Sequence, residues 1–209
     1  GSFRGYLYGL KRQAGKGGTP LRGYLYGLKR QAGKGGNYMA KVKEIKTNAM
    51  RFLDKNKIPY EVIQYECDTF SDGLTVAQKT GVDPERSFKT LVTRGKSGEY
   101  YVFVIPVAMA LDLKAAARAV GEKSVEMIHV RDIQAVTGYI RGGCSPLGMK
   151  KSYKTVMDVR LTDFKQIAVS GGRIGSTLLM APGDLLKAAR ASTAPVAVAE
   201  DGGSEENHQ

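Results

Sequence analysis

Three short segments hold the residues of this 209-residue chain best suited to chemistry. They are Ser87-Phe88-Lys89-Thr90-Leu91, then GGCSPLGMKK at 142–151, then VSGGRIG at 169–175. Each joins small residues, over which a ligand can approach the backbone, to a hydroxyl or a fixed cation. Such residues suit a polar group that carries a carbonyl or a phosphate. Lys89 near the start of an apolar strand can aim its ammonium at a phosphate or an ester carbonyl. The same position equally suits a lysine that protects a strand edge. The glycines of 142–148 can form an anion nest or oxyanion hole, or simply a tight bend closed by Pro146. Segment 170–175 reads as a second nest or as a hairpin turn.

Other chemistries lack their residues. Cys144 needs a base or an electropositive setting to become a nucleophile. His129 closes an apolar strand, and nothing in the sequence brings it to Cys144. Two cysteines and two histidines without ligand spacing do not describe a metal site. No pair of carboxylates reads as an acid and base. The expectation is a site that works without a metal or other cofactor.

The elements that must position these segments follow from periodicity. Val42, Ile45, Ala49, Phe52 and Leu53 recur at helical spacing and predict a helix ending before Pro59. Tyr60 to Glu66 alternates as a strand. Leu74–Thr80 is a helix stopped by Gly81. Phe88–Thr93 and Tyr100–Ile105 form a hairpin across Ser97-Gly98. Asp112 opens a helix over Leu113–Val120, stopped by Gly121. Val125–His129 is a strand, Val130–Thr137 a helix, and Tyr139–Arg141 an extended run. Thr155–Val159, Gln166–Ser170 and Thr177–Met180 are strands, and Pro182 opens a last helix to Arg190. Hairpins mixed with helices predict one α+β domain with a mixed, largely antiparallel sheet flanked by helices.

That domain is expected over 39–191, between two unlike ends. Residues 4–18 and 22–36 are the same fifteen residues, RGYLYGLKRQAGKGG. Natural repeats drift and two units build no solenoid, so 1–38 reads as an appended or mis-started leader, flexible because it is glycine-rich. The rival reading is a basic arm that grips RNA through charge and tyrosine stacking. Eight of the 32 basic residues lie in 1–38 with no acid, which leaves 24 against 20 elsewhere. The body is thus only mildly basic, unlike a protein that coats a duplex. Residues 192–209 are polar and acidic and are expected to be a disordered tail. No apolar run suits a bilayer span and no signal peptide opens the chain. Two cysteines far apart suggest a reducing cytoplasm.

Taken together and in order, the segments resemble the YbaK/EbsC family of free-standing Cys-tRNA(Pro) deacylases, relatives of the editing domain of bacterial prolyl-tRNA synthetases. The resemblance spans about Met39 to Arg190 and also draws on the Tyr60–Glu66 strand, Leu111-Asp112-Leu113-Lys114, Thr137-Gly138-Tyr139 and Ala181-Pro182-Gly183-Asp184-Leu185. It implies an α+β editing-domain fold and hydrolysis of a mischarged aminoacyl ester on a tRNA 3′ end, without a metal. It implies that Lys89 is the central catalytic residue, anchoring the terminal phosphate or ribose. It implies substrate contacts at Tyr65, Thr90, Ser145 and Ser170, with Gly142, Gly143, Gly171 and Gly172 offering N–H donors to the ester carbonyl. It leaves room for a prolyl-tRNA synthetase as partner. Several relatives carry an acidic residue just after the second glycine turn, where this chain has Ser176-Thr177-Leu178-Leu179. A deacylase for another small aminoacyl group, such as Ala-tRNA(Pro), and a non-catalytic module that binds tRNA ends or a synthetase are the competing readings.

Overall fold

The computed structural model describes residues 46–67 and 69–200, together with a two-residue strand at Gly23–Tyr24. The expected helical residues Val42 and Ile45 lie outside that range. The first helix, α1, spans Asn48–Lys55. It starts later than the periodicity suggests because Thr47 is extended, and its hydroxyl accepts the Met50 N–H at 3.2 Å. That is an N-cap, and it places the helix boundary at a hydrogen bond. Strand β1 (Gly23–Tyr24) lies parallel to β2 (Glu61–Gln64) at a sheet edge.

Helix α2 (Gly73–Thr80) is capped by Asp72, whose carboxylate accepts the Thr75 N–H, and is ended by Gly81 in the left-handed conformation. Strands β3 (Phe88–Gly95) and β4 (Tyr100–Pro106) pair antiparallel, Lys89 opposite Ile105. Strand β5 (Met109–Leu111) leads to α3 (Leu113–Val120), which Asp112 caps by accepting the Lys114 and Ala115 N–H groups. Strand β6 (Val125–Met127) is shorter than the sequence pattern suggests. The expected helix over Val130–Thr137 divides into a 3-10 turn at Val130–Asp132 and a short α4 at Ile133–Thr137. Tyr139–Arg141 joins no strand, contrary to expectation. Tyr139 turns inward instead, and its hydroxyl donates to the Leu147 carbonyl at 2.5 Å. Strands β7 (Lys154–Asp158), β8 (Ile167–Ser170) and β9 (Ser176–Met180), then α5 (Pro182–Ala189), follow the predicted pattern closely.

One sheet has the order β1-β2-β9-β8. Its strands β2, β9 and β8 run antiparallel to one another. The other sheet is built on β7-β4-β3-β6, with β4 and β7 parallel and β3 antiparallel to β4 and β6. β4 lies inside this sheet and is covered on both faces, which explains its near-continuous apolar run. Phe103 and Ile105 pack with Ala116, Ala117 and Val120 of α3, while Val104 faces the core formed with α1 and α5. Among the described residues the two sheets meet at a single parallel bridge, Ser87 with Ala168. The result is the α+β domain with a mixed, mostly antiparallel sheet that the pattern predicts.

The expected disordered tail is corrected over 192–199. Strand β10 (Ser192–Ala194) adds parallel to β7, and β11 (Ala197–Ala199) pairs antiparallel with β5. The cause is Asp158, which is fully buried and accepts the Val196 and Ala197 N–H groups at 3.0 and 2.8 Å. Its other oxygen accepts from the Arg160 guanidinium at 2.9 Å. The segment 191–199, ASTAPVAVA, is itself mostly apolar, and Val196 and Ala197 are buried against α3, so the buried carboxylate fixes a segment whose own side chains favour burial. Residues 201–209 lie outside the described range. Among the described residues, no helix is long and apolar enough to cross a membrane.

Asp158→Ala removes the acceptor from two buried N–H donors, those of Val196 and Ala197, and from the backbone N–H and guanidinium of Arg160. We expect it to lower unfolding free energy by about 3 kcal/mol, measured as a shift in the urea midpoint. Protease cleavage after Arg190 should appear in the same variant.

Candidate active site

From the Ser87–Ala168 bridge the two sheets part, and the gap between β3 and β8 opens into a cavity of about 550 Å³. Beyond the bridge, β3 has no strand partner on this side until Thr93 pairs with Met127. An unpaired strand edge thus borders the cavity. Helix α2 and the segment 70–72 form one wall, and Met127 to Ile133 the opposite rim.

Tyr65, Lys89, Thr90, Gly142 and Ser170 all line this space, so the structure brings together five of the nine residues singled out from sequence. Lys89 and Thr90 come from the start of β3, Ser170 from the end of β8, and Tyr65 from the residue after β2. The Lys89 ammonium has no ion-pair or hydrogen-bond partner among the described residues. The Thr90 hydroxyl is buried and likewise unpartnered. An unmet polar atom at a cavity wall is costly unless something binds there. Burial raises the pKa of Tyr65, keeping its phenol protonated and able to donate.

Gly143, Ser145, Gly171 and Gly172 do not line the cavity. Ser145 is fully buried and its hydroxyl accepts the Leu147 N–H. The Gly143 N–H donates to Ile140 O at 3.0 Å, Gly171 N–H to Ser176 O at 2.8 Å, and Gly172 N–H to the Ser170 hydroxyl at 3.3 Å. Three of the four glycine donors expected to face an ester carbonyl are therefore already occupied. Gly142 differs: its N–H has no partner among the described residues, and its φ of 82° is one that other residues rarely adopt. The other glycines act as packing surfaces. A Cβ on Gly143 would lie 2.8 Å from the Arg173 Cα, so the two glycine loops touch backbone to backbone. Thr47, the α1 cap, also donates to the Gly171 carbonyl at 2.5 Å and ties the second turn to the helix.

Cys144 lines the cavity, but burial pushes its thiol up to about 11. At neutral pH it is not a thiolate, and exposed His129 is not among the residues around the cavity. Cys67, near the rim, is the opposite case. A hydrogen bond with the Ser71 hydroxyl, then one with the Thr69 backbone and the nearby Lys79 ammonium, lower its pKa.

Sequence reasoning missed several cavity residues. Asp72 and Glu200 supply carboxylates, and Phe70 and Arg141 stand at the mouth. Arg141 directly precedes the glycine loop, so only the assumed start of that motif hid it. Asp72 was visible solely as a helix cap, and Glu200 was assigned to a tail.

Fold and site define an α+β domain with a cavity lined by Lys89, Thr90, Ser170 and the edge of the glycine loop at Gly142. Residues 70–188 match the family model described as the aminoacyl-tRNA editing domain. The chain belongs to that family. It is 43% identical over 166 residues to the Enterococcus faecalis protein named "Putative Cys-tRNA(Pro)/Cys-tRNA(Cys) deacylase EbsC", covering 78% of this chain and all of that one. The fold is similar to a crystal structure described as a putative trans-editing enzyme for prolyl tRNA synthetase, with TM-score 0.65 and 23% identity over 74% of this chain and 96% of that one. It is also similar to the hypothetical protein APE2540, with TM-score 0.67 and 23% identity over 72% and 99% of the two chains.

The loop contact yields a paired expectation. Gly143→Ala forces backbone apart and should destabilise by about 2 kcal/mol or more. Gly183→Ala, in α5 with open space around its Cβ, should be neutral or slightly stabilising. Thermal melts of both variants test whether close approach, and not glycine content, is what 143 requires.

Proposed function

We propose that this protein is a trans-editing hydrolase that removes cysteine from mischarged tRNA(Pro). The observation that carries the reading is a Lys89 ammonium without a side-chain partner among the described residues, lining a cavity whose one lining thiol, Cys144, is held protonated by burial. Full-length similarity to the E. faecalis protein supports the same substrate class.

An aminoacyl ester next to a ribose hydroxyl is already reactive, so positioning and charge stabilisation carry most of the burden. Lys89 holds the terminal phosphate or ribose. The Tyr65 phenol, the Thr90 hydroxyl and the Gly142 N–H serve as donors to the ester and its developing oxyanion. Glu200 is the cavity carboxylate left to the substrate's α-ammonium, since both oxygens of Asp72 accept from Thr75 in the α2 cap, in a chain that lacks the acid some relatives place after the second glycine turn. The substrate's own thiol then attacks its carbonyl carbon. The C–S bond forms, the C–O bond to ribose breaks, and the thiol proton passes to the departing ribose oxygen. The thiolactone is opened by water in a later step.

We assign the reaction to the cytoplasm, where Cys67 and Cys144 would stay free thiols, as they are here. A prolyl-tRNA synthetase is the partner that would release the mischarged product. The mildly basic body, with 24 basic against 20 acidic residues after position 38, supports handover from such a partner over independent capture of tRNA.

Lys89→Ala should retain the fold and lose about 100-fold or more in single-turnover deacylation. Cys144→Ala should keep most activity, and a loss equal to that of Lys89→Ala would restore a covalent enzyme mechanism. The substrate thiol has its own test. Cysteinyl-tRNA(Pro) should be cleaved quickly, and seryl- and alanyl-tRNA(Pro) slowly, since a hydroxyl is a far poorer nucleophile near neutral pH. Equal rates for the three would point to attack by water or ribose, and trapping of the thiolactone would exclude both.

A further inference from the structure

At the cavity mouth, Arg141 lies over the ring of Phe70 with its guanidinium carbon 4.0 Å from the ring centre. Both residues line the cavity, and Phe70 is 44% exposed. No carboxylate pairs with Arg141 among the described residues. Gly142 makes the arrangement possible, because a Cβ there would meet the Phe70 ring edge at 3.0 Å. Four of the eight large apolar side chains exposed among the described residues, Phe70, Leu74, Met127 and Val130, surround this one opening. Exposed apolar surface gathered at one mouth marks a ligand more often than it marks solvent.

We propose that the Phe70–Arg141 pair is a stacking platform for the terminal nucleobase of the tRNA acceptor end, holding it at the mouth while the ester enters toward Lys89. This rests on the reading of the protein as a tRNA deacylase and adds the residues that grip the nucleic acid. A guanidinium laid on an aromatic ring keeps one planar face free, and its charge stays available to the adjoining phosphodiester. A nucleobase presents a flat π-face to such a surface, and base stacking tolerates any base identity. The neighbouring apolar rim then covers the base without needing to hydrogen-bond it. Phe70 and Arg141 are positioning residues in this scheme. They touch the substrate away from the reacting atoms.

The test uses the full chain and two uncharged RNA hairpins, one ending in CCA and one lacking the final adenosine. Fluorescence anisotropy measures binding, and deacylation of cysteinyl-tRNA(Pro) is followed alongside. Phe70→Ala and Arg141→Ala should each weaken binding of the CCA hairpin about tenfold and scarcely change binding of the trimmed one. Phe70→Trp should restore binding, and Arg141→Lys should not, because an ammonium has no planar face. In deacylation the loss should appear in KM with kcat nearly kept. Unchanged binding of the CCA hairpin, or equal losses on both hairpins, overturns the platform. If the wild-type protein cleaves no aminoacyl-tRNA, the deacylase reading fails by itself, and the hairpin comparison still decides the stacking claim.

Discussion

The site depends on two sheets that touch at one point and then separate. Ser87 and Ala168 form the only bridge between β3 and β8 among the described residues. Had the two strands continued as a ladder, Lys89 and Thr90 would border a closed sheet. Because they diverge, the edge of β3 from Lys89 onward borders a cavity instead. Strand pairing then fixes the backbone from which Lys89 and Thr90 project. β4 fixes that strand from the other side, and its fully buried Val102–Ile105 run anchors it in two cores at once.

The glycine loops serve this geometry indirectly. Loop 142–148 and turn 171–175 meet backbone to backbone at Gly143 and Arg173, and Thr47 locks the turn to the start of α1. Most of their N–H groups are occupied by that scaffold. What reaches the substrate space is their outer edge: Gly142, the Cys144 side chain and Ser170. The arrangement supports a chemistry with few enzyme-derived participants. A neutral, buried thiol cannot attack an ester efficiently. The family's name for its substrate, an aminoacyl ester on tRNA, is the kind of ligand for which alignment is most of the catalytic task.

Much of this was legible in sequence for a physical reason. Local hydrogen bonds and periodic burial are written over a few residues at a time. Asp112 before Leu113 and Gly121 after Val120 marked α3 to the residue, and alternation marked the β3–β4 hairpin. Lys89 was singled out because a cation in an apolar strand is a local anomaly. The errors fell where a distant group overrules a local preference. The run after Arg190 became two strands because Val196 and Ala197 are buried against α3 and buried Asp158, more than thirty residues earlier in sequence, holds their N–H groups.

By itself, then, the sequence determined the element types, the α+β class, the mildly basic body and the residues able to do chemistry. These follow from spacing, capping and side-chain type, which need no knowledge of the rest of the chain. Only the tertiary structure decided which of those residues share a cavity. It placed Lys89, Thr90 and Ser170 together across two sheets and withdrew Ser145, Gly143, Gly171 and Gly172 into the scaffold. It also added Arg141, Phe70 and Glu200. Whether an N–H faces a ligand or a neighbouring carbonyl depends on where a second segment packs, and no spacing within one segment contains that information.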